Sequence, residues 1–394
     1  MFPSYYEFFS PVKICSGHKA LNNLPFELDQ LGAHHPILIT DQGVTKAGLV
    51  QQVVDVFADS GVEIAALFDM VPPDSSSKVV NEVAKLFTEK GCDSIVAVGG
   101  GSVIDTSKGV NIVITEGATD LMKFAGAEML KKPMKPFIVI PTTAGTGSEV
   151  TCVAVISDPD RSIKMSFTSN MLYPRAAILD PRMTLTLPPH ITAATGMDAL
   201  THAVEAYISL QKNPMSDAYS WQAIRIIRAN LMNVVKNGGD REGRLALANA
   251  STMAGIAFSN AMVGVVHNLG HATGGVCHVA HGVAMNIYLP VGLEYDLPKA
   301  GEMIGELLMP LGGPDVYAHT PAEQRAVKVI SLIREMRDEL YEICKLPRTL
   351  KEANVDRAKL PDIAAAALKD GASMYNVEEI DYNDALALIE KAYE

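Results

Sequence analysis

Over the first 180 residues, short continuous apolar runs alternate with stretches in which apolar residues recur at helical spacing. Pro36–Thr40, Glu63–Phe68, Ser94–Val98, Phe137–Ile140 and Ala176–Asp180 read as buried strands, being brief aliphatic runs bounded by turn residues. Between them the spacing predicts helices over Val44–Ala58, over Ser76–Lys90 and onward from Ser102. Strands separated by helices of this length need crossover connections, and crossovers give a parallel sheet. Two β-rich runs within Thr151–Phe167 flank Asp158-Pro159-Asp160 and predict a hairpin appended to that sheet.

After Pro188-Pro189 the rhythm changes. Thr192–Leu210, Met215–Val235 and Arg244–Ser259 are helical in spacing and rich in Ala, Leu and Met, and Ala322–Glu394 continues in that style. Leu311–Pro321, with two glycines and two prolines, predicts a surface connection. The fold class expected is therefore an α/β N-terminal domain, residues 1–187, followed by an all-α C-terminal domain, residues 188–394.

Composition narrows the function. Apolar residues make up 48% of the 394 positions, enough for large cores and against extended disorder. Acidic residues outnumber basic ones 45 to 33, a net charge of −12, which disfavours nucleic acid and anionic lipid as partners. The five cysteines, Cys15, Cys92, Cys152, Cys277 and Cys344, are far apart and form no CxxC pair, a pattern of a reducing compartment rather than of a disulfide framework or Cys-zinc site. The N-terminal MFPSYYEFFSPVK has no basic start or long apolar core, and no apolar run nears the roughly 20 residues that span a bilayer. The expectation is a soluble cytoplasmic protein.

Two turns carry candidate nucleotide chemistry. Gly99-Gly100-Gly101-Ser102 stands where a strand gives way to a helix; glycines permit close backbone approach, and a helix N-terminus favours an anion such as pyrophosphate. It departs from GxGxxG, since Ile104 takes the last glycine's place. The alternative is a tight turn with Ser102 as helix cap. A second turn, Pro141–Glu149, is dense in hydroxyls and glycines and also follows a strand, where open α/β sheets bind ligands. Asp41, closing the first strand, suits a ribose hydroxyl and would repel a 2′-phosphate, which favours NAD over NADP; alternatively it only starts a turn with Gly43.

Four of ten histidines, His267, His271, His278 and His281, fall within fifteen residues. Asp198 and His202, like His267 and His271, are spaced i, i+4 and share a helix face. Imidazoles with one carboxylate and no thiolate suit Fe(II), Zn(II) or a similar ion, and the spacing alone leaves ligand and base undistinguished. His18, His34, His35, His190 and His319 are expected to be satisfied core residues.

These motifs resemble the iron-dependent (group III) alcohol dehydrogenases along essentially the whole chain. Gly99–Ser102 with Asp105 and Lys108 resembles the family's GGGSxxDxxK, Thr142–Glu149 its TTAGTGSE loop, Ala194–Ala203 its metal-binding helix, and His267, His271 and His281 keep its spacing. The resemblance implies that Asp198, His202, His267 and His281 hold a metal, usually Fe(II) with Zn(II) as the alternative, and that His271 lines the pocket and moves a proton. It also implies that Asp41, Gly99, Gly100, Gly101, Ser102, Thr142, Thr143, Thr146, Thr151 and Lys164 bind NAD, and that the protein is at least a dimer acting on a small alcohol or aldehyde. The reaction implied is reversible hydride transfer between a primary alcohol or diol and NAD.

Three departures stand out. Val71-Pro72-Pro73-Asp74-Ser75 replaces a Pro-Asn-Pro turn, putting Asp74 where an Asn commonly contacts cofactor; Ala280 replaces Pro before His281; and His278 is an extra imidazole, read as a pocket or structural residue. Rival readings keep the fold: a glycerol dehydrogenase-like enzyme, a dehydroquinate synthase-like enzyme, or a non-catalytic NAD or metal sensor. Few Lys and Arg lie in 190–285, against the phosphorylated acid a synthase would hold, and His271 argues against the sensor.

Overall fold

The computed structural model describes residues 3–58, 60–161 and 163–394. The chain divides into two units: Ser10–Thr186, and Leu187–Glu394 together with the N-terminal segment through Phe9.

The first unit is built on a six-stranded sheet, ordered β1-β9-β6-β4-β2-β3 and parallel throughout. Its strands are β1 (Lys13–Ser16), β2 (Pro36–Ile39), β3 (Ala66–Phe68), β4 (Ser94–Gly99), β6 (Phe137–Pro141) and β9 (Ala176–Leu179). Alternate residues feed two cores. Ile37, Ile39, Ile95, Ala97 and Val139 enter one, while Leu38, Val96, Val98, Ile138, Ile140 and Ile178 enter the other. Burial on both faces explains why these strands read as unbroken apolar runs. The chain moves from β2 outward to β3 and then back across to β4, so the switch in strand order lies between β2 and β4. That is the crevice where open α/β sheets take ligands.

Four expectations change here. The helix expected over Val44–Ala58 is two helices, Gln42–Lys46 and Leu49–Asp55, because Gly48 takes a left-handed conformation at φ +74. The strand expected from Glu63 begins only at Ala66, since this edge pairs with β2 alone. The hairpin, β7 (Val153–Asp158) against β8 (Ile163–Thr168), is antiparallel as expected but joins β5 (Gly126–Ala127) in a separate three-stranded sheet. β1 carries no apolar-run signal because it is four residues long, with exposed Lys13 and Ser16 at its ends and only Ile14 and Cys15 between them.

The second unit packs helices Pro189–Ile208, Pro214–Lys236, Arg241–Ala261, Val265–Cys277, His281–Glu306 and Arg325–Cys344, with shorter ones before and after the last of these. The expected loop at Leu311–Pro321 is instead occupied by Leu308–Gly312 and Pro314–His319. Gly313 at φ +85 makes the break, and Pro314 starts the next helix where its missing N–H costs nothing. The N-terminal segment joins this unit because the Asn260 side chain pairs with the Phe9 backbone in both directions, at 2.7 and 3.2 Å. The Phe8 ring also stacks on Tyr219 at 5.9 Å. His18, His34, His35, His190 and His319 are all exposed, correcting their expected place in the core; each is polar enough to be served by water. No helix among the described residues is long and apolar enough to cross a membrane.

Candidate functional site

Three helices of the second unit converge on one point. Helix Pro189–Ile208 contributes Asp198 and His202 one turn apart, Val265–Cys277 contributes His267 and His271, and His281 opens His281–Glu306. Small residues let the backbones meet: a Cβ on Gly282 would lie 2.5 Å from the Ala194 carbonyl oxygen, so only glycine lets the start of the third helix approach the first. One donor atom from each of Asp198, His202, His267 and His281 lies within 4.8 Å of the others.

The donors are poised for a cation. His281 Nε2 stands 3.2 Å and His202 Nδ1 3.7 Å from Asp198 Oδ1. His202 Nδ1 and His267 Nε2 are buried with no hydrogen-bond partner among the described residues. Such orphaned nitrogens are costly unless something absent from the structure meets them. Burial would raise the Asp198 carboxyl, but the imidazoles of His202, His281 and His267 outweigh it and hold the group well below the ordinary carboxylate range. Burial also drives His202 down to about 3 against the pull of Asp198, and lowers His267 well below its usual value. Both imidazoles are thus neutral at physiological pH, with free lone pairs beside an ionised carboxylate. Three imidazoles and one carboxylate fit a divalent transition ion.

Two carboxylates hold the imidazoles from behind, and neither was found from the sequence. Glu205, buried, accepts the Val266 N–H at 2.6 Å with one oxygen and bonds His267 Nδ1 with the other. With its proton fixed on Nδ1, His267 turns the bare Nε2 into the cluster. Asp370 lies 2.9 Å from His271 Nδ1. His271 is exposed, its ring 5.4 Å from that of His281 and 5.6 Å from that of His267. It borders the cluster without being one of the four donors grouped there. The Phe258 ring lies against His202, with centroids 4.3 Å apart, and adds an apolar wall. Glu205 follows His202 by three positions, a same-face spacing that offered a signal; Asp370, ninety-nine residues from His271, offered none.

In the first unit the two glycine-rich turns adjoin at the C-terminal ends of β4 and β6. The Thr142 N–H donates to the Gly99 carbonyl at 3.1 Å. A Cβ on Gly100 would meet Thr143 at 3.3 Å, and one on Gly101 would meet Thr146 at 3.1 Å. Helix Gly101–Glu116 starts from Gly100 as cap, so Ser102 is not the cap; its hydroxyl donates to the Pro73 carbonyl. Asp41 caps the Gln42–Lys46 helix, accepting the Val44 N–H at 2.9 Å. It lies two residues beyond the end of β2, on the other side of the switch in strand order from Gly99. Thr151 is buried, its hydroxyl 3.0 Å from the Lys108 ammonium. Lys164 lies exposed, paired at 3.0 Å with Asp74, which also accepts the Ser157 hydroxyl at 2.8 Å.

Residues 11–181 match the family described as iron-containing alcohol dehydrogenase, and residues 192–393 match the Fe-containing alcohol dehydrogenase family, C-terminal. The chain belongs to the iron-containing alcohol dehydrogenases. It is 36% identical to 1,3-propanediol dehydrogenase of Klebsiella pneumoniae over 382 residues, 96% of each chain. It is 33% identical to NAD-dependent methanol dehydrogenase of Bacillus methanolicus over 388 residues, 98% of this chain and 99% of that one. Among solved structures it is similar to a 1,3-propanediol oxidoreductase, with TM-score 0.94, 34% identity, and 99% of this chain and 100% of that one covered. Like other members of this family, the chain is an oxidoreductase acting on CH–OH.

Within the iron-containing alcohol dehydrogenase frame, His278 has a local explanation. It is the residue that ends helix Val265–Cys277, in a left-handed conformation at φ 58, and its N–H closes on the Gly274 carbonyl. The extra imidazole is an exposed helix terminator in a place that more often belongs to glycine.

Proposed function

We propose that this iron-containing alcohol dehydrogenase interconverts a small primary alcohol or diol and its aldehyde, with NAD as hydride carrier and a divalent ion, Fe(II) by family, at Asp198, His202, His267 and His281. The observation that carries the reading is the buried donor cluster with its orphaned imidazole nitrogens. The names of relatives acting on 1,3-propanediol and methanol support the substrate class. Free cysteines and the exposed Tyr5 and Phe9 support a cytoplasmic homo-oligomer.

Asp198, His202, His267 and His281 would hold an ion that supplies Lewis acidity toward the alcohol or carbonyl oxygen, and the two glycine-rich turns would hold a dinucleotide that supplies the hydride chemistry. The chain's own residues do the rest. Glu205 fixes the His267 tautomer, so the donor set is ready before any ion arrives. His271, exposed and braced by Asp370 through Nδ1, would pass the alcohol proton to water from its other nitrogen. Phe258 keeps one side of the donor cluster apolar. Gly99–Ser102 and Thr142–Thr146 present backbone N–H groups and hydroxyls to the pyrophosphate.

The deciding experiment strips the metal and adds back ions one at a time while following NADH oxidation by an aldehyde. Activity is expected to vanish on chelation and to return with Fe(II) under anaerobic conditions. Full activity in the metal-free protein would sink the proposal. Zinc outperforming iron would change only the ion.

Cofactor choice rests on Asp41. Asparagine caps helices as well as aspartate does, so Asp41→Asn removes the charge and keeps the cap. The unaltered enzyme is expected to favour NADH over NADPH in kcat/KM, and the variant to narrow that preference with little change in Tm. Equal use of both cofactors by the unaltered enzyme would refute the role of Asp41.

A further inference from the structure

Lys108 is the largest charged side chain buried without exposure in the first unit, and the proposed chemistry gives it no task. It lies two turns into helix Gly101–Glu116, whose first residues form the Gly99–Ser102 turn. Its ammonium meets four oxygens: the carbonyls of Ser148 at 3.0 Å, Thr151 at 2.8 Å and Val153 at 2.7 Å, and the Thr151 hydroxyl at 3.0 Å. All four belong to the end of the second turn and the start of β7. The same helix face carries Asp105, which accepts the Val155 N–H at 3.0 Å. It also carries Gly109, where a Cβ would reach 2.4 Å from Ile156. One helix therefore begins in the first turn and is bolted to the second.

The chemistry of the bolt is that of a cation in an oxygen cage. A buried ammonium is costly unless its protons are taken up, and four oxygens take them up here. Burial draws Lys108 down to about 8 while Asp105, Cys152 and Glu149 push the other way, so it remains charged near neutral pH. Carbonyls of one short segment pointing at one place repel each other without a positive charge among them.

We propose that Lys108 is a positioning residue for the dinucleotide, its ammonium holding the Thr142–Thr151 segment against the Gly99–Ser102 turn so that both face one pyrophosphate. The proposal rests on the NAD reading above. Charge, not bulk, is what the cage requires.

The test compares Lys108→Met, which keeps most of the volume, and Lys108→Ala with the unaltered enzyme, using NADH fluorescence titration and elemental analysis. Lys108→Met is expected to weaken NADH binding at least tenfold, with metal content unchanged because the metal donors lie in the other unit. Propylammonium added to Lys108→Ala is expected to recover binding, whereas propanol, of similar size and neutral, is not. NADH binding by Lys108→Met within twofold of normal would overturn the proposal, as would rescue by propanol equal to that by propylammonium. Loss of fold and metal in both variants would make Lys108 a general determinant of folding and overturn its local role. Were the unaltered protein to bind no NADH, the NAD reading itself would fall, which is a separate result.

Discussion

His267→Ala and His202→Ala are expected to purify with little or no bound metal and with activity abolished. Each removes a buried imidazole from a set of four donors, and a three-donor remnant with a cavity beside it cannot compete with solvent for the ion. The neutral state enforced on both imidazoles by burial makes them donors without prior proton loss, so little else at the site can replace them. Glu205→Gln is expected to be milder. It keeps the shape but puts an amide in place of the carboxyl group behind His267 Nδ1, and loss of such a supporting group costs about 10–100-fold in metal affinity. Elemental analysis and competition with a chelator read both effects. Full occupancy in His267→Ala would remove that residue from the donor set.

The second large effect separates proton transfer from metal binding. His271→Ala is expected to retain its metal and to lose ~10²–10⁴-fold in kcat, the range for a missing general acid or base. Asp370→Asn should lose less. The imidazole remains, but an amide in place of the carboxylate 2.9 Å from Nδ1 holds its orientation less firmly. Elemental analysis with steady-state kinetics on both variants is sufficient. Metal loss in His271→Ala would mean that His271 is a ligand and that the roles assigned along this helix are wrong. An unchanged kcat with metal retained would leave the proton with another carrier.

The parallel α/β unit, the helical unit, the two glycine-rich turns and the paired candidates Asp198/His202 and His267/His271 are legible in the sequence, whereas the choice of donors among the histidines came from the family resemblance. The legible features are local: a period of two or 3.6, a glycine at a turn, an i, i+4 pair on one helix face. Three of the misplacements the sequence led to have a plain physical cause. The hairpin of β7 and β8 was assigned to the main sheet because strand pairing is decided by partners distant in sequence, here the two residues of β5. The break at Gly48 was hidden by apolar spacing that continues across it. The short helices around Gly313 were masked by their own punctuation, since glycine and proline end and begin helices as readily as they make loops.

Which groups stand behind the chemistry is settled only when distant parts of the chain pack together. Asp370 meets His271 across ninety-nine residues of chain. Lys108 meets its four oxygens forty to forty-five residues away. His278, one imidazole among four in the sequence, is set apart from the others only by the left-handed backbone that ends its helix. The residues that touch an ion or a phosphate carry chemistry in their own identity and spacing. Those that orient them carry it only through packing, because any carboxylate or ammonium serves if the fold delivers it to the right atom.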